Sequence, residues 1–386
     1  MAHCPTILTQ MLQLFSRHEF NTLVQEHKAE YHARGVRSWW HFVAMLFGQV
    51  AGQDSLRGIE AGLATQGAHL YHLGVRPVNR SSLSYANAHR PASLFEAMFY
   101  RMLSKCQSIA PRHKFRFKNP LYSLDATTIS LCLSLFNWAK FRKTKGAVKL
   151  HVKFNHAGYL PTFALVTPGK VHERRIAPRI PLEAGDVAVM DRGFLDFGYL
   201  KTLDDQDVTF VTRLKSNTAY RVKERHEHTH PNIVADQTIE LTGFYSHKDY
   251  PGRLRRIVAR DPETKKTVVL LTNQFHWAAS TIAAIYKDRW QIELFFKTLK
   301  QQLKVKSFVG TSENALLSQL WVALIAYLLL AYLKFKSKFQ WSLYTLSSIL
   351  PTNLFSRRNL WDWLNAPYKA SGPPQKFPLQ MELVFG

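Results

Sequence analysis

Residues 286–300, YKDRWQIELFFKTLK, decide how the rest of this chain is read. They contain neither glycine nor proline, and their apolar side chains recur at helical spacing, so a long helix is predicted from Ser280 onward. At about 100° per residue, Tyr286, Arg289, Glu293 and Lys300 fall in a stripe about 60° wide, bordered by Trp290 and Lys297. Ile285, Ile292, Phe296, Leu299 and Leu303 gather on a separate arc. One face therefore packs, and the adjoining face presents a carboxylate among cations and aromatics. An ordinary solvated helix face produces the same stripe, so its meaning depends on the rest of the chain.

Two further carboxylates stand in strand-like surroundings. Asp125 lies inside LYSLDATTISL (121–131), and Asp191 ends the apolar run DVAVMD (186–191). A carboxylate in a strand is disfavoured by propensity and costly to bury unless it is paired or bound to a metal. Each would also serve as a structural ion-pair residue. Asp186 and Asp196 compete with Asp191, but one begins a strand and the other a helix, where aspartate is ordinary. Residues 147–154 alternate apolar side chains with Lys149, His151 and Lys153, the pattern of a half-buried strand. Turn signals at Asn155 and Gly158 lead to a third strand near 162–167, which makes an antiparallel meander. The run VAVM, apolar throughout, belongs at the buried centre of a mixed sheet. The layout is α/β.

Composition narrows the partner. The 386 residues suggest two or three domains, and 46% hydrophobic with 13% aromatic residues exclude a disordered basic tail. Lys and Arg number 51 against 27 Asp and Glu, a formal net charge of +24, so the partner is polyanionic: nucleic acid or an acidic membrane surface. The one candidate span, residues 315–333, is interrupted at Ser318 and Gln319 and follows a charged helix, so it reads as a buried core helix and no membrane is expected. No signal peptide is expected at the start, which lacks a basic segment and a clean apolar run. Cys4, Cys106 and Cys132 are too scattered for a disulfide framework or a metal site, which fits a reducing cytosol. Between Asp125 and Glu173 the chain has Lys140, Arg142, Lys143, Lys145, Lys149, Lys153 and Lys170 and no acid, a place for a phosphate backbone or else a solvated basic strand face.

Residues 1–118 read as a helical domain. Within them SLRGIEAGLA and SSLSYANAHR are joined through punctuation at Gly74 and Pro77, a helix-turn-helix-like pattern. Its second helix offers Arg80, Asn87, His89 and Arg90 to base edges and phosphates; an ordinary helical domain with solvated basic residues fits the same pattern. Residues 119–207 form the first part of an α/β core, 208–275 a β-rich insertion and 276–336 the second part with the long helix. Residues 337–386 form a basic, aromatic end.

The spacing Tyr286-x2-Arg289-x3-Glu293-x6-Lys300 resembles the Tyr-Arg-Glu-Lys signature of DDE transposases of the large bacterial insertion-sequence group numbered four. LDATTI, VMDRGF, FVTRLK, LLTN and GTSENALLSQLWVALIAYLLL fit as well, so the resemblance covers about residues 121–333. It implies an RNase H-like catalytic core, with Asp125 on the first strand, Asp191 at the end of the fourth and Glu293 on the helix after the insertion. It also implies that these three carboxylates hold two Mg²⁺ ions, with Mn²⁺ substituting, consistent with hard oxygen ligands. Tyr286, Arg289 and Lys300 would grip phosphates of a transposon end, and Trp290 would stack on a flipped base. Lys297, Arg142, Lys143 and Lys145 are further DNA-contact candidates, and His172-Glu173 would support the site.

The implied activity is cut-and-paste transposition. A dimer on double-stranded DNA would bind terminal inverted repeats, cleave them and join the 3′-hydroxyl ends to target DNA, in a bacterial cytoplasm at the nucleoid. Two alternatives stand beside it. One is a catalytically inactive DNA-binding protein derived from a transposase, disfavoured by the presence of all three acids. The other is a nuclease of the same fold without strand transfer.

Overall fold

The computed structural model describes residues 4–368 apart from 32, 34, 137, 143, 144 and 306, and apart from the side chains of 68, 140–142 and 145. The N-terminal part is helical: α1 (Ile7–Leu12), α2 (Arg17–Glu26), α3 (Ser38–Val50), α4 (Leu56–Ala64), α5 (Gly67–Leu70), α6 (Arg80–His89) and α7 (Ser93–Gln107). Thr6, Ser16, Ser55 and Asn79 start α1, α2, α4 and α6, their side chains accepting backbone N–H groups left without helical partners. The α3 sequence, SWWHFVAMLFGQV, is apolar on nearly every side and is accordingly buried almost throughout.

Among the described residues ten strands form one sheet: β1 (Leu121–Leu131), β2 (Lys140–Arg142), β3 (Lys145–Asn155), β4 (Leu160–Pro168), β5 (Val187–Met190), β6 (Thr209–Arg213), β7 (Tyr220–Arg225), β8 (Ile233–Leu241), β9 (Arg253–Arg260) and β10 (Thr267–Thr272). The meander expected from the alternation is present: β1 and β4 both pair antiparallel with β3. β5 then runs parallel to β1, and β6 parallel to β5. The order β4-β3-β1-β5-β6 with these directions is that of an RNase H-like core. β6 falls inside the segment read as an insertion, yet its pairing with β5 places it in this core order. From β6 the sheet continues antiparallel through β10, β9, β8 and β7, so the inserted strands extend one sheet. β5 is buried at every position, as its uniform apolarity requires.

Short helices α8 (Glu173–Ile176), α9 (Phe197–Asp205) and α10 (Phe244–Asp249) lie in the connections. The chain closes with α11 (Ala279–Asp288), α12 (Trp290–Gln301), α13 (Glu313–Lys336), α14 (Leu343–Asn353) and α15 (Leu360–Asn365). By length and composition α13 would cross a membrane, but 89% of its most apolar window is buried inside the fold. It packs on α3, α6 and α7 on one side and reaches β4 on another. Its side chains share one apolar core with Phe42 and Phe95 of the N-terminal helices, Val148 to Phe154 of β3, and Phe295 of α12.

The single long helix expected from Ser280 is interrupted at Arg289. There the hydrogen bonds tighten to three-residue spacing: Arg289 N–H donates to the Tyr286 carbonyl at 3.3 Å and Ile292 N–H to the Arg289 carbonyl at 3.1 Å. Arg289 keeps right-handed helical angles (φ −51°, ψ −29°), so α11 and α12 remain nearly continuous. The predicted packing arc survives, with Ile285, Ile292, Phe296, Leu299 and Leu303 all buried.

Candidate active site

Strand register sets up the site. Leu124 of β1 is level with Met190 of β5, so the next residues emerge side by side, Asp125 midway along β1 and Asp191 just past the C-terminal end of its parallel neighbour β5. The C-terminal ends of parallel strands are where open α/β sheets place their ligands. Helix α12 brings Glu293 to the same place, and Arg289 joins two of the acids. Its Nη1 donates to Asp125 Oδ2 at 3.2 Å and its Nη2 to Glu293 Oε1 at 2.6 Å. Asp125 Oδ1 also accepts the Ala126 N–H at 2.7 Å.

Burial pushes the Asp125 carboxyl up to about 6; Arg289 and the Ala126 N–H oppose that rise, and Asp191 and Glu293 add to it. Burial also works against charge on Arg289, but Tyr286, Asp125 and Glu293 outweigh it and hold the guanidinium above its ordinary range. The Tyr286 ring lies 5.7 Å from that guanidinium. Its hydroxyl is shifted upward, chiefly by burial, against the pull of Arg289 and Arg213.

Asp191 is held differently. Its Oδ1 accepts the Gly193 N–H at 2.7 Å and its carbonyl accepts from Thr212 Oγ1 at 3.2 Å. A Cβ on Gly193 would lie 2.9 Å from that Oδ1, so a larger residue there would push the carboxylate away from its present position. With Arg289 between Asp125 and Glu293, and Asp191 turned to Gly193, no group of three or more His, Cys, Asp or Glu is drawn close enough to hold a metal ion among the described residues. The three acids are hard oxygen donors, and at Asp125 the other two add to the rise that burial chiefly causes. Both charge and donor type fit a divalent cation.

Of the other predicted residues, Lys300 reaches back to β1, its Nζ donating to Thr127 Oγ1 and to the Thr128 carbonyl. Trp290 is 56% exposed beside Arg289, and Lys297 is exposed two turns farther along the same side of α12. Lys143 lies outside the described residues, as do the side chains of Arg142 and Lys145, whose backbones belong to β2 and β3.

Several expectations are corrected. Lys149 is tied to Glu173 at 2.9 Å, and Lys153 is buried with its Nζ 3.6 Å from Asp186, so these two serve the fold rather than a phosphate backbone. Glu173 is thereby committed to Lys149 and does not support the acidic cluster. In the N-terminal helices, Asn87 is fully buried and hydrogen-bonded to His41 at 2.7 Å. Arg90 is buried too, donating to the carbonyls of Ala29 and Val36. Neither reads DNA. The outward face of α6 instead carries Arg80, Ser84, Tyr85 and His89, with the Tyr85 and His89 rings stacked 4.0 Å apart.

Sequence reading missed Thr127, Thr212 and Arg213. Thr127 had a signal, since two residues beyond Asp125 it lies on the same face of β1. Thr212 and Arg213 lie in FVTRLK, which the resemblance marked without giving either a role; their nearness to Asp191 and Tyr286 comes from β5–β6 pairing and from the packing of α11 on β6.

Comparison with known proteins follows the same lines. A family described as "Transposase DDE domain" matches residues 116–329, and one described as a domain of unknown function matches residues 3–76. A Sinorhizobium fredii protein named as a transposase, y4zB, is 31% identical, over 72% of this chain and 78% of its own length. A Geobacillus stearothermophilus protein, named as a transposase for insertion sequence element IS5377, is 31% identical over 69% of this chain and 70% of its own. Among solved structures, a piggyBac transposase synaptic complex with hairpin DNA aligns with TM-score 0.43 and 10% identity, over 90% of this chain and 80% of that one. With a family match over more than half its length and relatives of this kind, the chain belongs to the DDE transposases, in the insertion-sequence group numbered four.

Proposed function

We propose that this protein is a Mg²⁺-dependent cut-and-paste transposase that binds the terminal inverted repeats of its element, cleaves there and joins the freed 3′-hydroxyls to target DNA. The observation that carries the reading is the Arg289 bridge between Asp125 and Glu293, with Asp191 level with Asp125 on the adjoining parallel strand. In a chain of net charge +24, two acids bridged by one arginine beside a third at the end of the neighbouring strand favour metal-assisted chemistry on a polyanion over plain ion pairing.

Asp125, Asp191 and Glu293 would hold two Mg²⁺ ions, and ions held there would supply Lewis-acid activation of a hydroxyl and stabilisation of charge on the oxygens of an in-line phosphoryl displacement. Arg289 sits between the acids and has a fork suited to a phosphate, so it would grip the strand beside the scissile bond. Tyr286 supports that guanidinium from below. Lys300, steered by Thr127 and Thr128, would present a second cation along the same strand. Trp290 is exposed next to Arg289 and would stack on an unpaired base. Lys297 and the basic segment with Arg142, Lys143 and Lys145 would follow the backbone farther out. The α6 face with Arg80, Tyr85 and His89 would contact DNA outside the cut. Concerted cutting of two ends calls for at least a dimer on DNA, in the bacterial cytoplasm.

The decisive experiment incubates the full chain with the element's terminal DNA and Mg²⁺ and maps nicks, hairpins and joined products. End-specific nicks followed by joined products support the proposal. Cleavage without joining would make the protein a nuclease, and binding without cleavage an inactive DNA-binding protein.

A further inference from the structure

Asp288 and Arg289 are neighbours in sequence but serve different clusters. Arg289 meets the acidic site, whereas Asp288, only 4% exposed, enters a buried polar chain. Its Oδ2 accepts from His156 Nδ1 at 2.7 Å, and its Oδ1 pairs with Lys114 Nζ at 2.7 Å. The Tyr159 hydroxyl lies 3.3 Å from Oδ2. On the far side of the imidazole, His156 Nε2 is 2.7 Å from Ser123 Oγ. The His156 N–H donates to the Leu121 carbonyl at 2.9 Å, so the ring is fixed to β1 by its backbone as well. Ser123 precedes Asp125 by two residues and lies on the same face of β1.

The position of Asp288 is unfavourable on local grounds. A carboxylate in the last turn of a helix opposes the macrodipole, and burial of its charge is costly. Burial does raise its carboxyl, but hydrogen bonds from His156 and Lys114 outweigh that and hold it below the ordinary range. An anion kept there ties the end of α11 to β1. The order Ser-His-Asp is that of a nucleophile and its activating base, but Ser123 is fully buried within the sheet, so no substrate atom reaches its Oγ. The chain transmits position.

We propose that Asp288 is a positioning residue which, through His156 and Ser123, fixes the Arg289 turn against β1 and thereby sets the separation of Glu293 from Asp125. The proposal rests on the reading of those two carboxylates as part of the cleavage site. A displacement of about 1 Å at such a site costs on the order of 100-fold in rate. A plain buried ion pair would instead lower stability and leave cleavage by the folded protein unchanged.

The test uses the full chain and the variants Asp288→Asn, His156→Gln, His156→Phe and Ser123→Ala. Melting, end-DNA affinity, single-turnover cleavage at saturating DNA and Mg²⁺, and hydrogen exchange are measured for each. Asp288→Asn is expected to cleave roughly 100-fold more slowly, with end affinity within about twofold of the parent. Exchange should rise in residues 121–131 and 286–296 and not elsewhere. His156→Gln, which keeps a donor and an acceptor, should recover most of the rate, whereas His156→Phe should not. Asp288→Asn cleaving at the parental rate with unchanged exchange overturns the proposal, as does general loss of protection with unchanged cleavage per folded molecule. If Asp288→Asn does not fold, Ser123→Ala decides: slower cleavage with local exchange supports the proposal, and parental behaviour in both overturns it. Should the parent itself fail to cleave terminal DNA, the functional reading falls, while the exchange pattern still judges the network.

Discussion

Two arginine–aspartate clusters in this molecule use the same groups to opposite ends. In the inserted strands, Arg255 of β9 binds Asp236 of β8 through Nε at 2.8 Å and Nη2 at 2.6 Å. Its Nη1 reaches the carbonyls of Gln274, Phe275 and Trp277, the last at 2.6 Å. Both side chains are almost wholly buried, and all three guanidinium nitrogens are hydrogen-bonded. At the acidic site, Arg289 spends one bond on Asp125 and one on Glu293, and its Nε is buried with no hydrogen-bond partner among the described residues. A fork bonded through every nitrogen is a rivet joining two strands and a loop. An under-used fork between two repelling acids has room to exchange a carboxylate for a phosphate.

The largest effect that tests this contrast lies in the acids themselves. Asp125→Asn, Asp191→Asn and Glu293→Gln should each lower Mg²⁺-dependent cleavage by about 1000-fold or more while end binding persists in gel-shift assays. Full cleavage by any one removes that residue from the site. Exchanging the arginines comes next. Arg255→Met leaves Asp236 buried and uncompensated and should cost about 3–5 kcal/mol in urea unfolding. Arg289→Met should cost less, about 1–2 kcal/mol, yet slow cleavage by roughly 100-fold. Equal losses of stability in the two variants would erase the distinction.

A smaller effect follows from the Asp125 carboxyl, raised to about 6 when folded and near 3.9 when unfolded. The folded state binds this proton more tightly, so its stabilising contribution is complete below about 4 and is lost as pH rises through about 6. Asp125→Asn should therefore melt a few degrees higher than the parent at pH 8, on the order of 1–3 kcal/mol, with no gain at pH 4. A lower melting point at pH 8 would show the ion pair with Arg289 to be a net stabiliser, like the Arg255 pair. Least affected should be the stability of Trp290→Ala, within about 0.5 kcal/mol because the ring is exposed. Its cleavage should nevertheless fall about fivefold or more if the ring stacks on a base, and an unchanged rate would confine the site to charged groups.

Much of this site was legible because its residues lack a local excuse. An aspartate inside LDATTI or at the end of VAVMD gains nothing from strand propensity, and the Tyr286–Lys300 stripe emerges from helical period alone. Asp288 was invisible for the opposite reason. In KDRW it looks like one more surface charge, and its partner His156 is 132 residues away. Asn87 and Arg90 misled because a short polar helix shows its composition without its orientation. Packing of α6 against α3, α4 and α13 turned those two inward and left Arg80, Tyr85 and His89 outside.

Local chemistry in the chain was enough to place β1, β3, β4 and β5, the helix stripe and the buried character of α13, and to single out three acids as candidates. Period, propensity and charge act over a few residues and are written in the order of residues. Only the tertiary structure decided that Leu124 pairs with Met190, that Arg289 stands between two acids, and that Asp288 is locked to β1. Those outcomes depend on contacts between segments more than sixty residues apart, whose register is set by packing of the whole sheet and leaves no local trace.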